Sequence, residues 1–135
     1  MSTTSSRKRL RFDRAEVDRQ AGRCRVRVTL ALGQLIFHAD AEDSVDGTGP
    51  LKAAAAAALK AVQEAAANRF SCSLADLDHV NALGKELIAV LVDVNFESRD
   101  VQVFGSCQIT GNEIDCAVKS ALNATNRFFE LSMRN

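Results

Sequence analysis

At 135 residues the chain is long enough for one two-layer core and too short for a barrel enzyme. Its 17 lysines and arginines balance 17 aspartates and glutamates, so no net charge steers the whole molecule toward nucleic acid or an anionic membrane. No apolar run reaches the ~18 residues of a membrane span, and the N-terminus lacks the apolar core of a signal sequence; a soluble, cytoplasmic protein is expected.

Residues 1–8 read as a disordered tail, Met1 to Ser6 being small and polar, and residues 9–132 as a single α+β domain. Arg9 to Val17 carries Leu10, Phe12 and Val17 among charges, the pattern of an irregular edge strand. After Gly22, the stretch Cys24 to Leu32 alternates cleanly. Cys24, Val26, Val28, Leu30 and Leu32 fall on one side and Arg25, Arg27, Thr29 and Ala31 on the other. Gly33-Gln34 is a two-residue turn, and Leu35 to Ala41 is its partner strand. A loop from Glu42 to Gly49 leads into a helix from Pro50 to Asn68. Proline suits the first helical turn, where its missing N–H has no partner to lose, and Gly47 and Gly49 permit close backbone approach. Leu51, Ala55, Leu59 and Val62 share a stripe, while Ala53 to Ala58 gives a shallow surface that lets a sheet or a second helix come close.

The second half repeats this plan. Leu74 to Leu83 reads as a strand, Gly84 turns, and Leu87 to Phe96 is strongly β-forming. A polar loop, Glu97 to Asp100, precedes a third strand from Val101 to Ile109. Thr110-Gly111-Asn112 then opens a helix from Glu113 to Leu131, with Thr110 or Asn112 as cap and Glu113 and Asp115 at the positive end of the dipole. Its apolar face is Ile114, Ala117, Val118, Ala121, Leu122 and Phe128. Both halves therefore read strand, strand, strand, glycine-containing turn, helix. The expected fold is α+β, a duplicated βββα unit with two helices packed on sheet layers.

The chemistry-bearing residues are sparse. Basic residues cluster early, and Arg23, Arg25 and Arg27 alternate with Cys24, Val26 and Val28. A nucleic-acid arm would need aromatic interleaving for stacking, and only Phe12 is present, so a solvated strand face is the better reading. Cys24, Cys72, Cys107 and Cys116 form no C-x-x-C pair, and with His38 and His79 they show no zinc-ligand spacing. Buried thiols account for them, and no metal or cofactor is expected. Asp40, Glu42, Asp43 and Asp46 are read as a solvated acidic loop. No G-x-S-x-G elbow, P-loop, H-E-x-x-H or Rossmann fingerprint occurs, so no catalytic residue is assigned.

Gly47-Thr48-Gly49-Pro50-Leu51 ahead of an alanine-rich helix resembles the G-x-G-P-[VL] turn of the regulatory, dimerising domain of 2-isopropylmalate synthase. Leu74-Ala75-Asp76-Leu77-Asp78-His79-Val80 is similar to that family's leucine–aspartate–aromatic strand. Gly105, Asn112 with Ala117, and Ala121-Leu122-Asn123-Ala124-Thr125-Asn126-Arg127 resemble its closing glycine, acidic helix start and A-L-N-A-x-N ending. The likeness runs from about residue 10 to residue 131. It implies a non-catalytic homodimer binding leucine or a leucine-like small acid at Gly47, Gly49, Pro50, Gly111 and Asn112, or else a ligand-free dimerisation or partner-binding module serving a separate enzyme. The catalytic barrel of that family is missing from this chain, and Asn112 stands where the family has an aspartate. An aspartate pairs with an amino acid's ammonium, whereas an amide offers a weaker hydrogen bond.

Overall fold

The computed structural model describes residues 9–134, so the expected tail at residues 1–8 lies outside the described residues. Eight elements follow in order: β1 (Leu10–Gln20), β2 (Arg23–Leu32), β3 (Leu35–Ser44), α1 (Gly49–Ala65), β4 (Ser71–Ala82), β5 (Lys85–Phe96), β6 (Arg99–Gln108) and α2 (Glu113–Ser132). The strands form two antiparallel three-stranded sheets, β1-β2-β3 and β4-β5-β6. The fold is α+β.

Two-residue turns drive the four hairpin reversals. Ala21-Gly22, Leu83-Gly84 and Glu97-Ser98 all sit at positive φ, the backbone geometry whose twist matches that of the flanking strands, and Gly33 starts the fourth at φ 62. The Glu97-Ser98 turn explains one difference from the sequence reading. Without glycine or asparagine it carries no turn signal, so the residues on either side look like loop, yet β6 begins at Arg99. Likewise β3 runs on to Ser44, because Glu42 and Asp43 stay in register with Arg25 and Cys24. Asp40, Glu42 and Asp43 are thus strand residues, and of the acidic group only Asp46 lies in the connection. β1 is an edge strand, as its mixed pattern suggested, with a bulge between Phe12 and Arg14.

Each helix lies on its own sheet, α1 over β2 and β3 and α2 over β5 and β6. The helices pack on each other, and each also reaches the first strand of the other sheet. One apolar core therefore spans both halves, from Cys24, Val28 and Leu30 through Leu59 and Val62 to Ile88, Val92, Val118 and Phe129. α1 is enclosed on nearly every side. Only a strip along Lys52, Ala56, Lys60 and Glu64 escapes burial, with Gln63 beside it, and Ala53, Ala54, Ala55, Ala57, Ala58 and Ala61 are all inside. Alanine's single methyl is what allows a helix to be surrounded this closely.

On α2 the buried face includes most of the expected apolar positions, with Phe129 added and Ile114 and Phe128 half-buried. Phe128 instead joins Phe70 and Phe96, ring centroids 5.6–6.4 Å apart. Ser120 and Thr125 are buried polar residues made tolerable by backbone acceptors. Ser120 Oγ donates to the Ile88 and Cys116 carbonyls, and Thr125 Oγ1 to that of Ala121. Gly105 brings β6 hard against α2, since a Cβ there would meet the Ser120 carbonyl and the Ala124 amide.

Candidate functional site

The first glycine turn connects β3 to α1. Gly47 sits at φ 58 in open space, a left-handed position that a glycine takes without cost. Gly49 is needed for a different reason: a Cβ on it would run into the backbone of Ser44. Its N–H donates to the Asp46 carbonyl at 3.0 Å, and Lys52 N–H reaches Thr48 at 2.9 Å. Pro50 contributes no donor, and Gly49, Pro50 and Leu51 are all buried. Among residues 49–52 only Leu51 keeps a backbone N–H outside these bonds. Thr48 supplies no side-chain cap and the first turn has no acidic residue, so the positive end of this dipole is unopposed by its own helix.

The second turn is built in the opposite sense. Asn112, not Thr110, caps α2: its Oδ1 accepts from Ile114 N–H at 2.7 Å and Asp115 N–H at 3.3 Å. Glu113 and Asp115 add negative charge to the same end. Gly111 is exposed, with nothing near a notional Cβ. Three residues far apart in the chain gather here. His79 Nε2 on β4 lies 3.3 Å from Glu113 and 3.8 Å from Glu86, and Ile109 N–H donates to the Glu86 carbonyl. Their sequence separation hides this cluster, because only the β4–β5 register brings residue 79 beside the helix start. The trio forms no metal set among the described residues. The second helix start thus has a formed cap and acidic side chains beside it, while the first has neither.

Two depressions on the surface of the described residues are lined by none of Gly47, Gly49, Pro50, Gly111 and Asn112. A groove of about 620 Å³ follows the outer side of α2, with Leu122 and Phe129 in its floor and Arg9, Lys119 and Arg134 around it. A shallower one, about 680 Å³, lies over Ser73, Asp93, Asp100 and Gln102 of the second sheet.

The outer faces of the two sheets differ in charge. On the first, the arginine stripe of β2 is answered across the strands. Arg27 makes paired bonds to Asp40 at 2.8 and 3.3 Å, and Arg25 binds Glu42 at 3.1 and 3.3 Å. The Arg27 bond holds the Asp40 carboxyl below its ordinary range. Toward the other end of this face, Arg11-Ala31-Ile36 and Arg14-Thr29-His38 form cross-strand rows, and Ile36 is 52% exposed. On the second sheet the outward rows are Asp76-Leu91-Phe104, Asp78-Ala89-Ser106, Ser73-Asp93-Gln102 and Ser71-Asn95-Asp100. Phe104 is 77% exposed. Asp93 and Asp100 accept only from the neutral amides of Gln102 and Asn95. The ion pairs found among the described residues involve none of these four aspartates.

Among the described residues no helix is long and apolar enough to cross a membrane. No protein-family model matches the chain, and no curated protein is similar to it at a significant level.

Proposed function

We propose that this chain is a non-catalytic association domain that works as a homodimer, in the manner of the regulatory domain of 2-isopropylmalate synthase and built like it from a βββα unit used twice. The observation that carries this reading is the outer face of the second sheet. A phenylalanine 77% exposed, in one row with Leu91 and Asp76 on a face that also carries Asp78, Asp93 and Asp100, none of the four in an ion pair among the described residues, is a poor surface to leave in water and a good one to cover. The complement is present on the same chain. In the Arg11-Ala31-Ile36 and Arg14-Thr29-His38 rows the apolar area offered is that of Ile36, since Ala31 and Thr29 are buried; Arg11 is in no ion pair among the described residues, and Arg14 meets Asp13 at 2.9 Å and Glu16 at 3.8 Å on its own strand. Two copies related by a two-fold axis would each lay the first sheet on the partner's second, pairing Phe104 and Leu91 with Ile36, and Asp76 and Asp78 with Arg11 and Arg14.

The test is the molar mass in solution by light scattering across a dilution series, for the natural chain and for Phe104→Lys. A dimer that the substitution weakens by ~30-fold or more, as loss of a central aromatic anchor does, supports the reading. A natural chain that stays monomeric at high concentration, or a variant that dimerises as well, overturns it.

A second reading rests on the opposite polarity of the two turns: the domain senses a small zwitterion or acid. The uncapped start of α1, with Gly47, Gly49 and Pro50, would receive a carboxylate. The second turn, with Gly111, Asn112, Glu113 and Glu86, would receive an ammonium group. Thermal unfolding against amino acids, 2-oxo acids and simple amines separates these halves. A leucine-like ligand at 100 times its Kd would raise stability by about 2.7 kcal/mol, and Glu113→Gln would remove the response to amines alone. A flat panel leaves the association domain as the sole function.

A further inference from the structure

Cys107, near the end of β6, and Cys116, in the first turn of α2, meet across the second glycine turn. The Cys116 thiol donates to the Cys107 carbonyl at 3.2 Å although the residues are nine positions apart. Cys107 shares a cross-strand row with Ile88 on the helix-facing side of its sheet, so its side chain is directed toward the element that carries Cys116. Cys107 is half-buried and Cys116 is buried beneath it. The other two cysteines are differently placed. Cys24 is enclosed in β2, and Cys72 is buried with its thiol on the Leu59 carbonyl.

We infer that Cys107 and Cys116 are a reversible dithiol pair, oxidised by a small disulfide such as glutathione disulfide to a bridge that ties the start of α2 to β6. In the first step the Cys107 thiolate attacks one sulfur of glutathione disulfide. The S–S bond breaks, and the departing glutathione thiolate takes up the proton that Cys107 released. In the second step Cys116 gives its proton to solvent and attacks the Cys107 sulfur, and the second glutathione leaves as thiolate and is protonated. Two protein thiols have lost two electrons and two protons, and two glutathione thiols have formed. The bridge spans Gly111 and Asn112, so oxidation would hold the second turn in place. The inference stands on the contact between the two residues and is independent of whether either turn binds a ligand.

Burial pushes the Cys116 thiol up to about 11, with the neighbouring Cys107 thiol adding to the shift. Closure therefore speeds up with pH, because only the thiolate attacks.

The experiment exposes the folded chain to glutathione disulfide, then unfolds it in denaturant with the alkylating agent present so that the buried thiols also react, and reads intact and peptide masses. The expected product is lighter by about 2 Da before alkylation, keeps two of its four cysteines open to alkylation, and yields a peptide linking residues 107 and 116. Dithiothreitol reverses it. Cys116→Ser is expected to stop at a glutathione adduct on Cys107, and Cys107→Ser to form neither adduct nor bridge. Amide hydrogen exchange from Ile109 to Asp115 is expected to slow by about tenfold in the bridged form, as local opening is suppressed. Four thiols still free after oxidation, an adduct in the natural chain that never closes, or a bridge between other cysteines would each overturn the pairing. A bridge that leaves exchange unchanged would overturn its hold on the turn.

Discussion

Gly105 and Gly111 show how differently one residue type is used. Gly105 is wedged against the α2 backbone, where the Ser120 carbonyl and the Ala124 amide leave no room for a methyl group, whereas Gly111 faces open space. Gly105→Ala must push strand and helix apart and is expected to cost about 1–3 kcal/mol, the usual range for overpacking. Gly111→Ala should be within about 0.5 kcal/mol of neutral, as for other surface changes. Urea unfolding of the two variants checks both, and equal losses would contradict the packing described. Cys72 supplies a pH dependence. Burial raises its thiol from 9.0 to about 12, so the folded chain keeps a proton that the unfolded chain releases. The stabilising contribution is whole below pH 9 and is lost as pH rises toward 12, with a slope of about 1.4 kcal/mol per pH unit. Unfolding free energies measured on either side of pH 9 should show this alkaline decline, and Cys72→Ala should make it shallower.

Among the elements, the two helices depend on different things. α2 begins with a formed cap, its Asn112 side chain holding two backbone N–H groups. Asn112→Ala is expected to destabilise by about 1 kcal/mol, read as a lowered melting temperature, and Asn112→Asp should retain the cap. α1 has no side-chain cap and is held by enclosure. Ala57 and Ala58 are fully buried, so Ala57→Leu is expected to cost about 1–3 kcal/mol in spite of leucine's good helix propensity. A stabilised variant would show that α1 is less tightly enclosed than its burial indicates. The strand order and both helices could be read along the chain because alternation, turn residues and a 3.6-residue period are local signals. The ends were harder. β3 extends three residues past its expected end, to Ser44, and β6 starts directly after Glu97-Ser98. In both places cross-strand pairing recruits polar residues that look like loop when read alone.

For the molecule as a whole, the proposed dimer makes a prediction about charge. If Asp76 and Asp78 of one copy face Arg11 and Arg14 of the other, Arg11→Glu should weaken association, and adding Asp76→Arg should restore part of it. Sedimentation of the single and double variants would show the recovery. Purely additive weakening would mean that these surfaces do not meet. Such surface pairs contribute about 0–1 kcal/mol each, so the apolar centre around Phe104 must supply most of the affinity.

The sequence by itself determined the α+β class, the order β-β-β-α in each half, the buried stripe of α1 and a cap at the start of α2. Each of these follows from side-chain periodicity or from the needs of a single turn. Only the tertiary structure decided that β2 arginines find Asp40 and Glu42, that His79 and Glu86 join Glu113, and that Cys107 meets Cys116. It also decided that Phe104 stands in an acidic outer face and that Gly49 is required by its neighbour Ser44. These depend on register and on the packing of helix against sheet, which relate residues far apart in the chain and leave no pattern along it.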